Sequence, residues 1–297
     1  MKMNQARCRF IAGVAHGCAA VAALVSNAVR ATDAVSGAVW AGVAIALVCL
    51  VIATDATSNA PTPPAVPKSG LDYASAEIRA LQADDASNPG MLWVAQGEML
   101  WSELAGAEAK SCAQCHGLAP ASMKAVATRY PQVERRSQLL INLVGRINMC
   151  RADHQRAPAL PYESAELLAL TAYIAHQSRG LGHQISITDG NREYFMRGAA
   201  LYRQRMGQMN LACTHCHDQN AGKTLLATTI SEGHSNGYPI YRLEWQGAGS
   251  LHRRFRSCLV GVRAEPFAPG SEQYLALELY LAQRGGGLAI ETPAVRR

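Results

Sequence analysis

Two short runs, Cys112-Ala-Gln-Cys115-His116 and Cys213-Thr-His-Cys216-His217, carry the most distinctive chemistry in the chain. In Cys-x-x-Cys-His the two thiols stand about one helical turn apart, so each can add to a vinyl group on the same porphyrin edge. The next residue, a histidine, then faces the iron. The spacing predicts covalent haem c attachment at Cys112, Cys115, Cys213 and Cys216, with His116 and His217 as proximal axial ligands and two haems per chain. A single such run also reads as half of a zinc site or as a redox dithiol. Two copies at equivalent places favour haem.

Of nine cysteines, Cys8, Cys18 and Cys49 precede residue 60 and four belong to the haem runs, which leaves Cys150 and Cys258. Each follows an arginine by four residues, in Arg146-Ile-Asn-Met-Cys150 and Arg254-Phe-Arg-Ser-Cys258. One reading joins the two cysteines in a disulfide, which an oxidising compartment permits. The other makes each the distal iron ligand of its own half. No methionine follows His217, so a distal methionine, usual in single-domain cytochromes c, is impossible in the second half. His234, His252 and Cys258 remain as candidates there, and only Cys258 has a counterpart in the first half, Cys150. Met149 is a rival in the first half but reads as a core residue. Thiolate ligation brings negative charge to the iron and lowers its potential. His154, His176, His183 and His215 read as solvated or structural.

The elements that position these residues are duplicated. Gly97-Glu-Met-Leu-Trp101 and Gly198-Ala-Ala-Leu-Tyr202 each begin fifteen residues ahead of the first haem-run cysteine. Leu168-Ala-Leu-Thr-Ala-Tyr-Ile-Ala175 matches Leu275-Ala-Leu-Glu-Leu-Tyr-Leu-Ala282, each opening after a serine (Ser164, Ser271) and closing at a glycine (Gly180, Gly285). Those are helix start and stop signals. The expected fold is all-α: two tandem cytochrome c-like domains, residues 85–182 and 183–297, after a leader at 1–60 and a linker at 61–84.

The leader reads as targeting. Residues 34–54 are an uncharged run of 21, with Arg30 ahead of it and small residues and Pro61-Thr-Pro-Pro-Ala-Val-Pro67 after it. Such a pattern suits a cleaved secretory signal, and the run is also long enough for a retained membrane anchor. Either route predicts a periplasmic protein. The net charge of +6 falls to +4 without residues 1–60, too diffuse to argue for nucleic acid.

Three stretches carry a resemblance to the SoxA family, the larger subunit of the SoxAX cytochromes. They are Arg146-Ile-Asn-Met-Cys150-Arg, Ala212-Cys-Thr-His-Cys-His-Asp-Gln-Asn-Ala-Gly-Lys223 and Gly249-Ser-Leu-His-Arg-Arg-Phe-Arg-Ser-Cys258, with a family-like ending at 291–297. The resemblance implies an L-cysteine S-thiosulfotransferase, in which thiosulfate is joined through its sulfane sulfur to a cysteine of a SoxYZ carrier and two electrons pass to haem. It implies a small mono-haem SoxX-like partner subunit and a downstream cytochrome c acceptor. It also implies that Cys258 is the catalytic sulfur, often a persulfide, and that Arg254 binds the anion. The residues agree, since His252-Arg-Arg-Phe-Arg256 puts positive charge beside a candidate sulfur ligand. The same run also reads as a solvated basic loop or a contact face for an acidic partner. Arg146 is assigned to a haem propionate or to local structure. A plain di-haem electron carrier and a di-haem peroxidase are the competing functions; Cys ligation at both irons argues against the latter, which needs an opening iron site.

Overall fold

The computed structural model describes residues 66–297, which form one compact unit. The apolar run at 34–54 and the rest of the leader lie outside it. Among the described residues no helix is long and apolar enough to cross a membrane.

The duplicated signals in the sequence become duplicated helices. In the first half α1 (Ala76–Ala83) leads into α2 (Met91–Ser102), α3 (Cys112–His116), the single turn α4 (Ala119–Ser122), α5 (Leu143–Cys150) and α6 (Ala165–His176). The second half contains α7 (Arg192–Arg203), α8 (Cys213–His217), α9 (Leu251–Gly261) and α10 (Glu272–Arg284). Ser164 and Ser271 cap α6 and α10, their hydroxyls accepting the N–H of Leu167 and Tyr274. Each such cap contributes about 1 kcal/mol.

The conspicuous glycines have a packing explanation. Helix α2 crosses α6 at Gly97, where a Cβ would strike the Ala169 carbonyl and the Tyr173 side chain. Helix α7 crosses α10 at Gly198, where a Cβ would strike the Ala276 carbonyl and lie 2.9 Å from the Tyr280 Cβ. The two backbones approach too closely for any side chain. Gly198→Ala should therefore lower stability by about 1–3 kcal/mol through overpacking, read as an earlier midpoint in denaturant. An unchanged midpoint would mean that the crossing opens without cost.

Each crossing anchors its own core. Trp101, Ile147, Leu170 and Tyr173 belong to the first, and Tyr202, Phe255, Tyr274 and Leu281 to the second. Full burial of a large apolar side chain contributes about 1.5–3 kcal/mol, so these residues dominate the stability of each half.

The expectation of an all-α protein needs correction. Among the described residues the fold is mainly helical but holds seven short strands. β1 (Gln132–Val133) pairs with β2 (Leu140–Ile141), and β3 (Thr224–Leu225) with β4 (Thr228–Thr229). A three-stranded sheet has β5 (Ile240–Arg242) at its centre, antiparallel to β6 (Gly247–Gly249) and parallel to β7 (Ala294–Arg296). Two or three residues are too few to display an alternating period, and the parallel partner of β5 lies more than fifty residues away.

Residues 66–84, expected as linker, are ordered structure. Ser75 caps α1, and Gln82 is buried against the C-terminal strand, accepting the Val295 N–H at 2.9 Å and a contact from Arg296 at 2.6 Å. The segment that follows α6 is tied to the C-terminal tail, with the Gly180 N–H on the Ile290 carbonyl and the Ile290 N–H on the Leu181 carbonyl, both at 2.9 Å. The halves also touch through Trp93 and Tyr241, whose rings lie 5.8 Å apart.

Candidate functional site

Helices α3 and α8 are single turns that hold Cys112, Cys115 and His116, or Cys213, Cys216 and His217, on one short scaffold. Their N-termini are capped in different ways. Ser111 and Gln114 form a reciprocal capping box in the first half, whereas in the second the His215 Nδ1 accepts the Ala212 N–H at 3.0 Å. His215 is thereby a structural residue, as expected.

Both Arg-x-x-x-Cys runs are helical, and in the second Leu251, Phe255 and Leu259 recur at helical spacing on the buried face. Asn142 and Ser250 cap α5 and α9. A spacing of four on a helix puts Arg146 and Cys150, and likewise Arg254 and Cys258, on one face a turn apart. Met149 then points about 100° away from the Cys150 face. Cys150 and Cys258 are both free thiols, so no disulfide joins them. They belong to separate centres.

In the second half the sulfur and the imidazole face one another. The thiol of Cys258 is held below its ordinary pKa even though burial, the largest single influence, acts to raise it. A hydrogen bond with His217 and the charges of Arg254, His217 and Arg242 outweigh the burial. In the first half burial wins, and both Cys150 and Cys112 are pushed up. Cys150 lies close enough to Cys112 and Cys115 for their charges to couple.

The His217 ring is seated from behind. Its Nδ1–H donates to the Ser231 carbonyl at 2.7 Å, so Nε2, on the Cys258 side, is the nitrogen that could bind a metal. Gly233 lies against the ring, where a Cβ would stand 2.7 Å from His217 Cγ, and its φ of +75° also favours glycine. His116 has no such hydrogen-bond partner among the described residues; it lies 5.7 Å from the Trp101 ring, and the Trp101 indole N–H bonds the Gly117 carbonyl at 2.9 Å.

The rival histidines are occupied elsewhere. The His234 side chain is 2% exposed; its Nε2–H donates to Glu232 at 3.0 Å while its Nδ1 faces Arg284. His252 is 1% exposed and stacks on Tyr162; its Nδ1 accepts the Gly270 N–H at 3.0 Å, so its Nε2–H donates to Glu278 at 3.1 Å. That leaves Cys258.

The arginines divide in the same way. Arg253 lies over the Trp245 ring at 4.3 Å, Arg242 pairs with Glu244 at 3.0 Å, and Arg256 is exposed. Arg146 faces Glu134 at 3.8 Å, where it serves local structure. The Arg254 guanidinium has no ion pair or hydrogen bond among the described residues, and Cys258, Tyr238 and Glu244 lie near enough to influence it.

The family description SoxA/TsdA, cytochrome c domain, matches residues 96–182. A SoxA subunit of L-cysteine S-thiosulfotransferase from Pseudaminobacter salicylatoxidans is 40% identical over 77% of this chain and 80% of that protein. The corresponding subunit from Paracoccus pantotrophus is 34% identical over 77% of this chain and 78% of that protein. The crystal structure of SoxXA from P. pantotrophus superposes with a TM-score of 0.76 at 33% identity, covering 78% of this chain and 87% of that one. The chain belongs to the SoxA family.

Haem c is the group that a SoxA cytochrome c domain implies, and the residues present fit it. Each half offers two thiols and a histidine on one turn, with a further thiol from a separate helix. Glycine at 233 leaves room for the proximal ring, and the Ser231 carbonyl selects the tautomer an axial ligand needs. Two parts of this SoxA site leave no mark in the sequence. Ser231 and Gly233 sit in an irregular loop with no periodic signal, and Tyr238 and Arg242 reach Cys258 only through the fold. His183 is expected from sequence to be solvated or structural, yet both its ring nitrogens are enclosed without a protein partner, and burial lowers its pKa.

Proposed function

We propose that the chain is the sulfur-conjugating subunit of a SoxAX-type cytochrome, an L-cysteine S-thiosulfotransferase that joins thiosulfate to a carrier-protein cysteine. One observation carries this reading. Cys258, the thiol of the second half that lies outside the haem run, faces His217 and has one helical turn away a guanidinium, Arg254, with no ion pair among the described residues.

Arg254 receives the sulfonate oxygens of the dianion, for which its planar fork of donors is matched. That contact directs the sulfane sulfur toward Cys258. The sulfane sulfur bonds to Cys258 with release of two electrons, and the carrier thiolate then displaces Cys258 and takes the S–SO₃ group, so that Cys258 departs as a thiolate. Over the cycle one S–S bond forms, one thiol proton is lost and two electrons leave. Haem c, when bound, supplies the electron sink. Arg242 and Arg254 lower the pKa of Cys258 and so favour the thiolate form in which it departs.

Cys213 and Cys216 would hold this haem covalently, with His217 and Cys258 as the residues that would ligate its iron; Cys112, Cys115, His116 and Cys150 would form the corresponding set in the first half. Two covalent haems per chain follow, and pyridine haemochrome quantitation should return about two, with neither lost to acid acetone. A value near one would remove the first-half assignment. A SoxX-like mono-haem subunit is the expected partner, in keeping with the SoxXA superposition, and a SoxYZ-like protein is the carrier. The leader, cleaved or retained, places the enzyme in the periplasm. The direct test is thiosulfate-dependent haem reduction with and without carrier protein. Mass spectrometry of the Cys258 peptide should also reveal a fraction carrying the S–SO₃ group or, where water has removed the sulfonate as sulfate, a fraction heavier by one sulfur.

A further inference from the structure

The segment that precedes the first haem helix reaches past its own half and fastens onto the second. The Lys68 N–H donates to one oxygen of Glu232 at 2.9 Å, and the Tyr73 hydroxyl donates to the other at 2.9 Å. Ser69 bonds Glu291, and the Asn236 side chain reaches the Ser69 hydroxyl at 3.3 Å. The carboxylate thus grasped stands in the middle of the loop that seats His217. Ser231, just before it, accepts the His217 Nδ1–H at 2.7 Å; Gly233, just after it, packs against the imidazole. From the opposite side Arg284 donates to the Glu232 carbonyl at 2.6 Å and to Asp218, the neighbour of His217, at 2.7 Å.

We propose that Tyr73 and Glu232 are positioning residues for the proximal histidine of the second haem, with residues 68–73 acting as a strap that holds the 231–233 loop in register. Three consecutive residues have separate roles. The Ser231 carbonyl orients the ring, the Glu232 carboxylate is clamped, and Gly233 leaves the ring its space. A strap that slackened would lengthen the bond from His217 to Ser231. That bond increases the electron donation of Nε2 to a bound metal and so favours the ferric state. Tyr73 suits the clamp because burial, with the Glu232 hydrogen bond, pushes its pKa up to about 12, which keeps the hydroxyl a donor. The first half has no equivalent of this hydrogen bond to His116 among the described residues, so the device belongs to the second centre alone.

The inference rests on His217 and Cys258 ligating the second haem, and the test separates the two claims. Tyr73→Phe, Glu232→Ala and Glu232→Gln would be made in the full haem-loaded chain, and each haem titrated spectropotentiometrically, with low-spin ferric EPR recorded alongside. Glu232→Ala should raise the second haem's potential by about 59 mV, a tenfold change in its reduced-to-oxidised ratio. The first haem should stay where it was. Tyr73→Phe, which keeps the charge and the ring, should move the same potential in the same direction by about threefold in that ratio. Glu232→Gln, whose amide oxygen can accept from Lys68 while its NH2 donates to the Tyr73 hydroxyl, should fall nearer the unmodified protein than Glu232→Ala. If Glu232→Gln matches Glu232→Ala while Tyr73→Phe does nothing, the effect is loss of charge and the strap has no positioning role. An unmoved second potential in both Tyr73→Phe and Glu232→Ala overturns the proposal as well. Should Glu232→Ala fail to fold, Tyr73→Phe alone decides, with no shift counting against it. EPR of the unmodified protein that excluded a thiolate at the second haem would instead defeat the ligation itself.

Discussion

Cys258→Met should leave a low-spin, six-coordinate second haem and reduce thiosulfate turnover by roughly a thousandfold or more, the scale of losing an obligatory reacting group. A thioether still binds iron, so the haem should remain ligated, with a higher potential once the thiolate charge is gone. What it cannot do is bond covalently to a sulfane sulfur and then depart as an anion. The electrostatics of the two repeat-related thiols also differ in direction: Cys258 is held below its ordinary pKa, while Cys150 is pushed above. Near-normal turnover in Cys258→Met would make the chain a di-haem electron carrier. The same substitution at Cys150 should alter the first haem's spectrum without a comparable loss of sulfur transfer.

Arg254→Ala should cost about ten- to a hundredfold in thiosulfate turnover, the equivalent of a charge-assisted contact of about 1.5–3 kcal/mol. The haem spectra should barely change, because Arg254 is not a ligand. Arg254→Lys should recover part of the loss, since it restores the charge but not the planar fork. Availability singles this residue out. Arg242 and Arg253 are engaged with Glu244 and Trp245, whereas Arg254 has no ion pair among the described residues. A neutral effect of Arg254→Ala beside a large effect of Arg242→Ala would move the anion site to Arg242.

These expectations begin as one-dimensional patterns, and the division of labour between sequence and fold has a physical cause. Cys-x-x-Cys-His is a local device. Its thiols and histidine lie within about one helical turn, so spacing alone determines that they share a scaffold. The same holds for Arg254 and Cys258 once Ser250 caps their helix. Repetition supplied the pairing of Cys150 with Cys258, and the glycines at 97 and 198 advertised the helix crossings, because close approach leaves a residue-level mark.

Other features depend on groups brought together from far apart. His252 is neutralised as a ligand by Glu278, twenty-six residues on. His234 is held partly by the adjacent Glu232, but Glu232 is itself held by Tyr73, more than 150 residues earlier. Residues 66–84 resemble a linker because nothing in their own composition shows that Gln82 will meet Val295. β5 and β7 are too short to announce themselves, and each is a strand only because the other lies beside it. The sequence by itself determined which atoms could bind haem and react with sulfur, since that chemistry spans a single helical turn. Which histidines stand aside, which arginine stays free and what braces His217 were decided by the tertiary structure, because a hydrogen bond or ion pair exists only where both partners arrive within about 3–4 Å.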